Sequence, residues 1–276
     1  MAYTGSFRKN IATGITKKLN RLFHNSYSKV NINWFSIKYL KHLPSNQLHS
    51  HKLFKNPTYF YDGHEFLHGL TEIFIEEVYK QILPENAIII DCGANIGLSV
   101  IYMKQICPSA SITAFEPDDK NYELLNKNVQ SHKIANTELR KEAVWIEDTM
   151  ISFAQEGNMG SKIEQTNTTG LLLVKAIRLK NLLQTNVDFL KLDIEGAEYK
   201  VLIDIREDLK NVKNLFVEYH GQFDQSGELI EIFNIISKAG FDFYIKEATS
   251  IYNHPFMAKK TTNAYDVQLN IFCFRK

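Results

Sequence analysis

From about residue 64 the apolar positions fall into short continuous runs separated by amphipathic stretches. "HEFLHGLTEIFIEEVYKQIL" (64–83) carries apolar residues at helical spacing, predicting a helix stopped by Pro84. Alternation follows. Ala87–Asp91 reads as a buried strand and Leu98–Cys107 as a helix. Ser111–Glu116 reads as a strand, Asp118–Ser131 as a helix and Thr137–Val144 as a strand. Residues 149–177 are β-rich with turn signals at Gly157, Gly160 and Gly170, and read as an insertion. Strand Val187–Asp193, helix Ala197–Ile205, strand Leu215–Tyr219 and helix Ile230–Ala239 come next. Strands Phe241–Lys246 and Val267–Phe274 close the chain without a helix between them. This alternation predicts an α/β fold, a mostly parallel sheet with helices on both faces, whose last two strands pair antiparallel at one edge.

The first 60 residues follow a different pattern. Phe7, Ile11, Ile15, Leu19 and Leu22 recur every three to four positions between lysines, predicting a basic amphipathic helix within residues 1–30. Residues 31–56 read as irregular. The expected organisation is a basic extension over residues 1–60 and a catalytic-type body over residues 61–276. Charge sharpens that division. Residues 1–56 hold ten Lys/Arg and no Asp or Glu, leaving 22 Lys/Arg against 31 Asp/Glu in the remainder. Such an arm suits an anionic membrane surface, or is simply a solvated segment. With 276 residues and 44% apolar content the chain can bury a sizeable core. It has no apolar run near the roughly 20 residues that span a bilayer, and no signal-type N-terminus, so a soluble cytoplasmic protein, peripheral to the membrane through its arm, is expected. Cys92, Cys107 and Cys273 lack metal-ligand spacing and read as reduced core thiols.

The stretch "AIIIDCGANIGLSVIYM" ends a buried strand at Asp91 and bends through Gly93 and Gly97 into a helix. Glycines there permit tight reversal and close approach of a ligand, and the helix start suits an anion. Glu116 ends the next strand, placed to accept two ribose hydroxyls, so the ligand is a nucleoside. A dinucleotide fingerprint wants a middle glycine. Here the spacing is G-A-N-I-G with Asn95 in the middle, which suits a smaller anion such as the methionine carboxylate of S-adenosylmethionine, with the Asn95 amide adding contacts.

"IIIDCGANIGLSVIYM", "AFEPDDKNYELLNKNV", "VDFLKLDIEGAEYKVL" and "LFVEYHG" together resemble the FkbM family of class I S-adenosylmethionine-dependent methyltransferases, over residues 60–276. The resemblance implies a Rossmann-like seven-stranded sheet and methyl transfer to hydroxyl groups of sugars, glycan precursors or related metabolites. It implies that Asp91, Gly93, Asn95 and Gly97 hold the methionine end, Glu116 the ribose, and that Glu142 and Ala143 border the adenine. Arg178-Leu179-Lys180 stands where the family often has Thr-Leu-Asp.

Methyl transfer to an alcohol needs an aligned oxygen and a group to take its proton. "KLDIEGAE" places Asp193, Glu195 and Glu198 around a glycine turn; Asp193 and Glu195 read as site residues, Asp193 also toward the cofactor, and Glu198 as a helix cap. "VEYHG" brings Glu218 and His220 to the same rim, with His220 the candidate base. No metal ligand is assigned, although Asp193, Glu195, Glu218 and His220 could together hold Mg²⁺. Two other readings compete with a methyltransferase acting on a small-molecule or glycan acceptor. An RNA methyltransferase would use the arm as grip, but the arm has few arginines and no aromatic platform. A catalytically silent binding module would not need Glu116 and the glycine bend intact.

Overall fold

The computed structural model describes residues 26–154, 163–164, 171–257 and 265–275. The helix expected within residues 1–30 lies outside them, apart from a 3-10 turn at Ser26–Val30. Among the described residues no helix is long and apolar enough to cross a membrane. The chain divides into two compact units, Met1–Val78 and Tyr79–Lys276.

In the first unit, helix α1 (Trp34–Lys41) is followed by hairpin strands β1 (His49–Leu53) and β2 (Asn56–Phe60), then helix α2 (Gly63–Leu70). Asn33 and Asp62 cap the two helices, each accepting backbone N–H bonds with its side chain. The helices cross closely. A Cβ on Gly63 would stand 2.0 Å from the Leu40 carbonyl oxygen. Phe60 and Phe66 stack at 4.1 Å. α2 thus belongs with α1 in this unit, which ends at Val78. The long helix expected over 64–83 is corrected: it gives way to a π turn at Thr71–Ile75 and then to Glu77 in the left-handed region.

The second unit is built on a seven-stranded sheet. Its strands are β3 (Ile88–Cys92), β4 (Ser111–Phe115), β5 (Thr137–Arg140), β10 (Val187–Leu192), β11 (Val212–Gly221), β12 (Asp242–Glu247) and β13 (Val267–Phe274), in the order β12-β13-β11-β10-β3-β4-β5. The intervening numbers belong to β6 (Ala143–Trp145), β7 (Thr149–Ala154), β8 (Ile163–Glu164) and β9 (Leu171–Arg178), which form a second sheet in the order β6-β9-β7-β8. The expected insertion is therefore a sheet of its own. The expected strand Thr137–Val144 is two strands, broken at Lys141–Glu142, whose second half leaves the central sheet.

Five strands of the central sheet run parallel, while β13 pairs antiparallel with both β11 and β12. Helices α3 (Leu98–Ile106), α4 (Asp119–Ser131), α5 (Glu198–Ile205) and α6 (Ser226–Lys238) complete this unit. Between strands and helices lies a core including Ile90, Leu190, Leu192, Val201, Leu202, Val217 and Ile236. The order runs outward from β3 through β4 to β5 and then returns to the other side of β3 at β10. In such sheets that reversal opens a crevice beyond the carboxyl ends of the two central strands.

At that crevice the chain is tight. Gly93 has φ +85°, and a Cβ there would lie 1.8 Å from the backbone oxygen of Asp193, beyond the end of β10. Gly97 has φ +89°, and its added Cβ would meet the side-chain end of Leu125 at 2.8 Å. A flexible methyl can move where a carbonyl of a sheet cannot. Gly93→Ala should therefore cost more than 3 kcal/mol or abolish soluble protein, and Gly97→Ala about 1–2 kcal/mol, measured by urea unfolding. The reverse ranking would contradict this account of the bend.

Candidate active site

The turn after β3 spends its own N–H groups. Gly93 and Ala94 donate to the Phe115 carbonyl at 3.0 and 2.8 Å, and Gly97 donates to Ala94. Asn95 sits in the left-handed region at φ 48°. Its side-chain oxygen turns back to accept the Ile96 N–H, while its backbone N–H donates to Glu116 Oε2 at 2.8 Å. Asp118 N–H donates to Glu116 Oε1 at 2.9 Å. The backbone of this turn thus fixes one oxygen of Glu116. Each Glu116 oxygen takes one backbone bond, leaving lone pairs for further donors. Burial pushes the Glu116 carboxyl up to about 7, against the opposing effect of those two bonds.

Asp91 is buried, and its Oδ2 accepts from Ser99 at 2.5 Å. Its Oδ1 has as partner an ion pair with Lys191 Nζ at 3.3 Å. Lys191 stands inside the apolar strand β10, with its side chain 3% exposed. Its ammonium donates to the Gly93 carbonyl at 2.6 Å and to Asp193 Oδ2 at 3.1 Å. Burial alone would lower this lysine, but Asp193 and Asp91 outweigh it and hold it well above its ordinary value. Asp193 is therefore half of a pair with Lys191. Burial likewise pushes the Cys92 thiol up, leaving it a packing residue.

The loop between β10 and α5 is held by Glu198, which accepts the N–H groups of Ile194 and Gly196 at 3.0–3.1 Å. Within it Glu195 and Gly196 are both left-handed, at φ 54° and 94°. His220, at the end of β11, is buried. Its Nδ1 lies 3.3 Å from Glu198 Oε1, and its Nε2 lies 3.6 Å from both Glu195 Oε2 and Glu218 Oε1. Glu198 is thus more than the helix cap expected of it: it orients the imidazole. Burial pulls His220 down, but the hydrogen bond and charge of Glu198, with Glu195 and Asp193, raise it to about 10. His220, the expected base, thus sits in a field that favours its charged form. Burial raises Glu195 to about 8, partly opposed by His220.

Asp193, Glu195 and His220, picked from separate motifs, are brought together: one donor atom from each lies within 4.8 Å of the others. Glu195 and His220 line a cavity of about 170 Å³, together with Trp145, Lys200, Gln222 and Tyr265. Glu142 holds ion pairs with Arg140 and Lys175, both at 2.6 Å, and Ala143 is buried at the start of β6. Arg178, from the divergent triplet, makes a two-pronged pair with Asp204. Sequence reasoning missed Lys191, whose signal is one charge inside an apolar strand. It also missed Tyr265, whose ring lies tilted beside His220 at 4.8 Å and whose hydroxyl donates to the Glu195 carbonyl, and which no local motif marks.

The Glu116 environment sets a pH dependence. Its folded value of about 7 exceeds the ordinary 4.5, so the folded state holds a proton that the unfolded chain has lost. Stability from this group is complete below pH 4.5 and declines as pH rises through 7. Glu116→Gln removes that decline. Relative to wild type, the variant should gain on the order of 3 kcal/mol between pH 4.5 and 8, read by urea unfolding. A pH-independent difference would contradict it.

A family profile described as the methyltransferase FkbM domain matches residues 91–243. Methyltransferase 1 of Beauveria bassiana is 25% identical over 205 residues, covering 64% of this chain and 80% of that protein. Methyltransferase sdnD of Sordaria araneosa is 29% identical over 210 residues, covering 62% and 80%. Among solved structures, methyltransferase FkbM from Methylobacillus flagellatus aligns with a TM-score of 0.48 at 15% identity, over 74% of this chain and 47% of that one. The profile spans the glycine bend, Glu116, the Lys191 strand and His220, more than half of the chain, and the chain belongs to the FkbM methyltransferase family.

Proposed function

We propose that this protein transfers a methyl group from S-adenosylmethionine to a hydroxyl of a sugar, glycan precursor or related polyol in the cytoplasm. The observation carrying this reading is the cavity beside the central strand ends, bordered by a carboxylate, an imidazole, a carboxamide and a phenol. Such groups hydrogen-bond alcohols from several directions.

The residues present fit the methyl donor. Glu116 is a buried carboxylate at the end of β4 with one free lone pair on each oxygen, matched to a pair of ribose hydroxyls. The turn of Asp91, Gly93, Asn95 and Gly97 would border the methionine end. Bound there, S-adenosylmethionine supplies an electrophilic methyl on a sulfonium. Asp193, fixed by Lys191, offers a carboxylate to that positive charge. Glu195 faces the cavity at the rim of the next strand and is the residue placed to receive the acceptor's hydroxyl. His220 and Glu198 hold it in position from behind. Tyr265 locks the backbone of Glu195. The basic arm, with ten Lys/Arg in residues 1–56, would bring the enzyme to an anionic membrane surface.

The test is methyl-labelled donor incubated with the full chain and two acceptor sets, free and nucleotide-linked sugars on one side and transfer RNA on the other. Label should appear as a stable methyl ether on a sugar. Glu116→Ala should raise KM for the donor at least tenfold with little change in kcat, because it removes uniform binding. Glu195→Gln should lower kcat by on the order of 10²-fold at unchanged donor KM. Label entering RNA alone would overturn the acceptor assignment, and binding of NAD in place of the methyl donor would overturn the cofactor assignment.

A further inference from the structure

We infer that Asp193, Glu195 and His220 form a divalent-cation site beside the cavity. Their donor atoms lie within 4.8 Å of one another. Neighbouring ligands around an ion at ~2.1 Å stand about 3 Å apart, a gap that rotation of two carboxylates closes.

A second observation points the same way. The His220 side chain is 2% exposed, yet its Nε2 hydrogen-bonds none of the described residues. Its nearest acceptors, on Glu195 and Glu218, are 3.6 Å away, beyond hydrogen-bond reach. The other nitrogen faces a carboxylate, Glu198, which can only accept, so Nδ1 carries the hydrogen there. A bound cation would take the place of the Nε2 proton, on the side of the ring that faces Asp193 and Glu195. This is how ligating histidines are oriented, a carboxylate behind and the metal in front.

Charge supports it as well. Asp91, Asp193, Glu195, Glu198 and Glu218 converge on this corner of the fold, where Lys191 supplies one ammonium, already engaged with Asp91 and Asp193. Lys191 occupies Oδ2 of Asp193 and leaves Oδ1 for a further cation. One imidazole with two carboxylates suits a borderline or hard ion of the Mn²⁺ or Mg²⁺ kind. The inference rests on the preceding reading only for the ion's use: it would hold the acceptor oxygen and make its proton easier to lose.

The experiment is titration of the full chain with Mn²⁺ alone, without donor or acceptor, following the electron paramagnetic resonance signal of the free ion. One Mn²⁺ should bind per chain. Asp193→Asn and His220→Gln should each weaken binding at least tenfold. Glu198→Gln, acting from behind the ring, should weaken it 10- to 100-fold. Glu247→Gln, on an exposed strand, should leave it unchanged. Circular dichroism of each variant separates lost ligation from lost fold. A free-ion signal undiminished by wild-type protein overturns the site, and so does binding that survives both Asp193→Asn and His220→Gln in folded protein. Failure here while a sugar is still methylated leaves the proposed reaction standing. Binding without methylation of any sugar does the opposite.

Discussion

One ammonium group, Lys191 Nζ, ties the two central strands together where they end. It bridges the Asp91 carboxylate on β3, the carbonyl of Gly93 just beyond β3, and the Asp193 carboxylate just beyond β10. Removing a charge from water costs several kcal/mol, and attraction offsets this only when partners are close and hydrogen bonds are filled. Here two acids and a carbonyl lie within 2.6–3.3 Å of the ammonium, with Asp91 Oδ1 held by charge alone. The consequence is geometric: the bend at Gly93 can pass within contact distance of Asp193, and both turns of the crevice become parts of one rigid object.

Two functional halves hang from that knot. On one side the glycine bend continues to Asn95, whose backbone fixes Glu116. On the other the Asp193 loop continues through Glu195 and Gly196 to Glu198, which reaches His220 on the next strand. The donor half and the acceptor half are thus held in register by one buried ion-pair network. A buried network of this kind is more sensitive to loss of one member than to replacement of all, because the survivor is left charged and dry.

Much of this was legible in the sequence. Period and composition mark β3, β4, β10, β11 and β13, and place the glycine bend and Glu116 at strand ends. What was hidden depends on contacts between distant segments. The need for glycine at position 93 lies in its positive φ and in the carbonyl of residue 193. The break at Lys141–Glu142 carries no glycine or proline, so one strand was expected where two sheets share the chain. Helical spacing persists through residues 71–83, although the π turn ends the helix there. Glu198 looks like an ordinary first-turn acid until His220, 22 residues later, is folded against it.

The central claim is that Lys191 and Asp91 act as one unit across the two strands. A double-mutant cycle of Asp91→Asn and Lys191→Met, followed by urea unfolding at neutral pH, measures that directly. Each single change should cost about 3–5 kcal/mol by stranding its partner, and the double variant should recover roughly 2–3 kcal/mol of their sum. Costs that add to within about 0.5 kcal/mol would show that the two residues do not depend on each other, and would contradict the account.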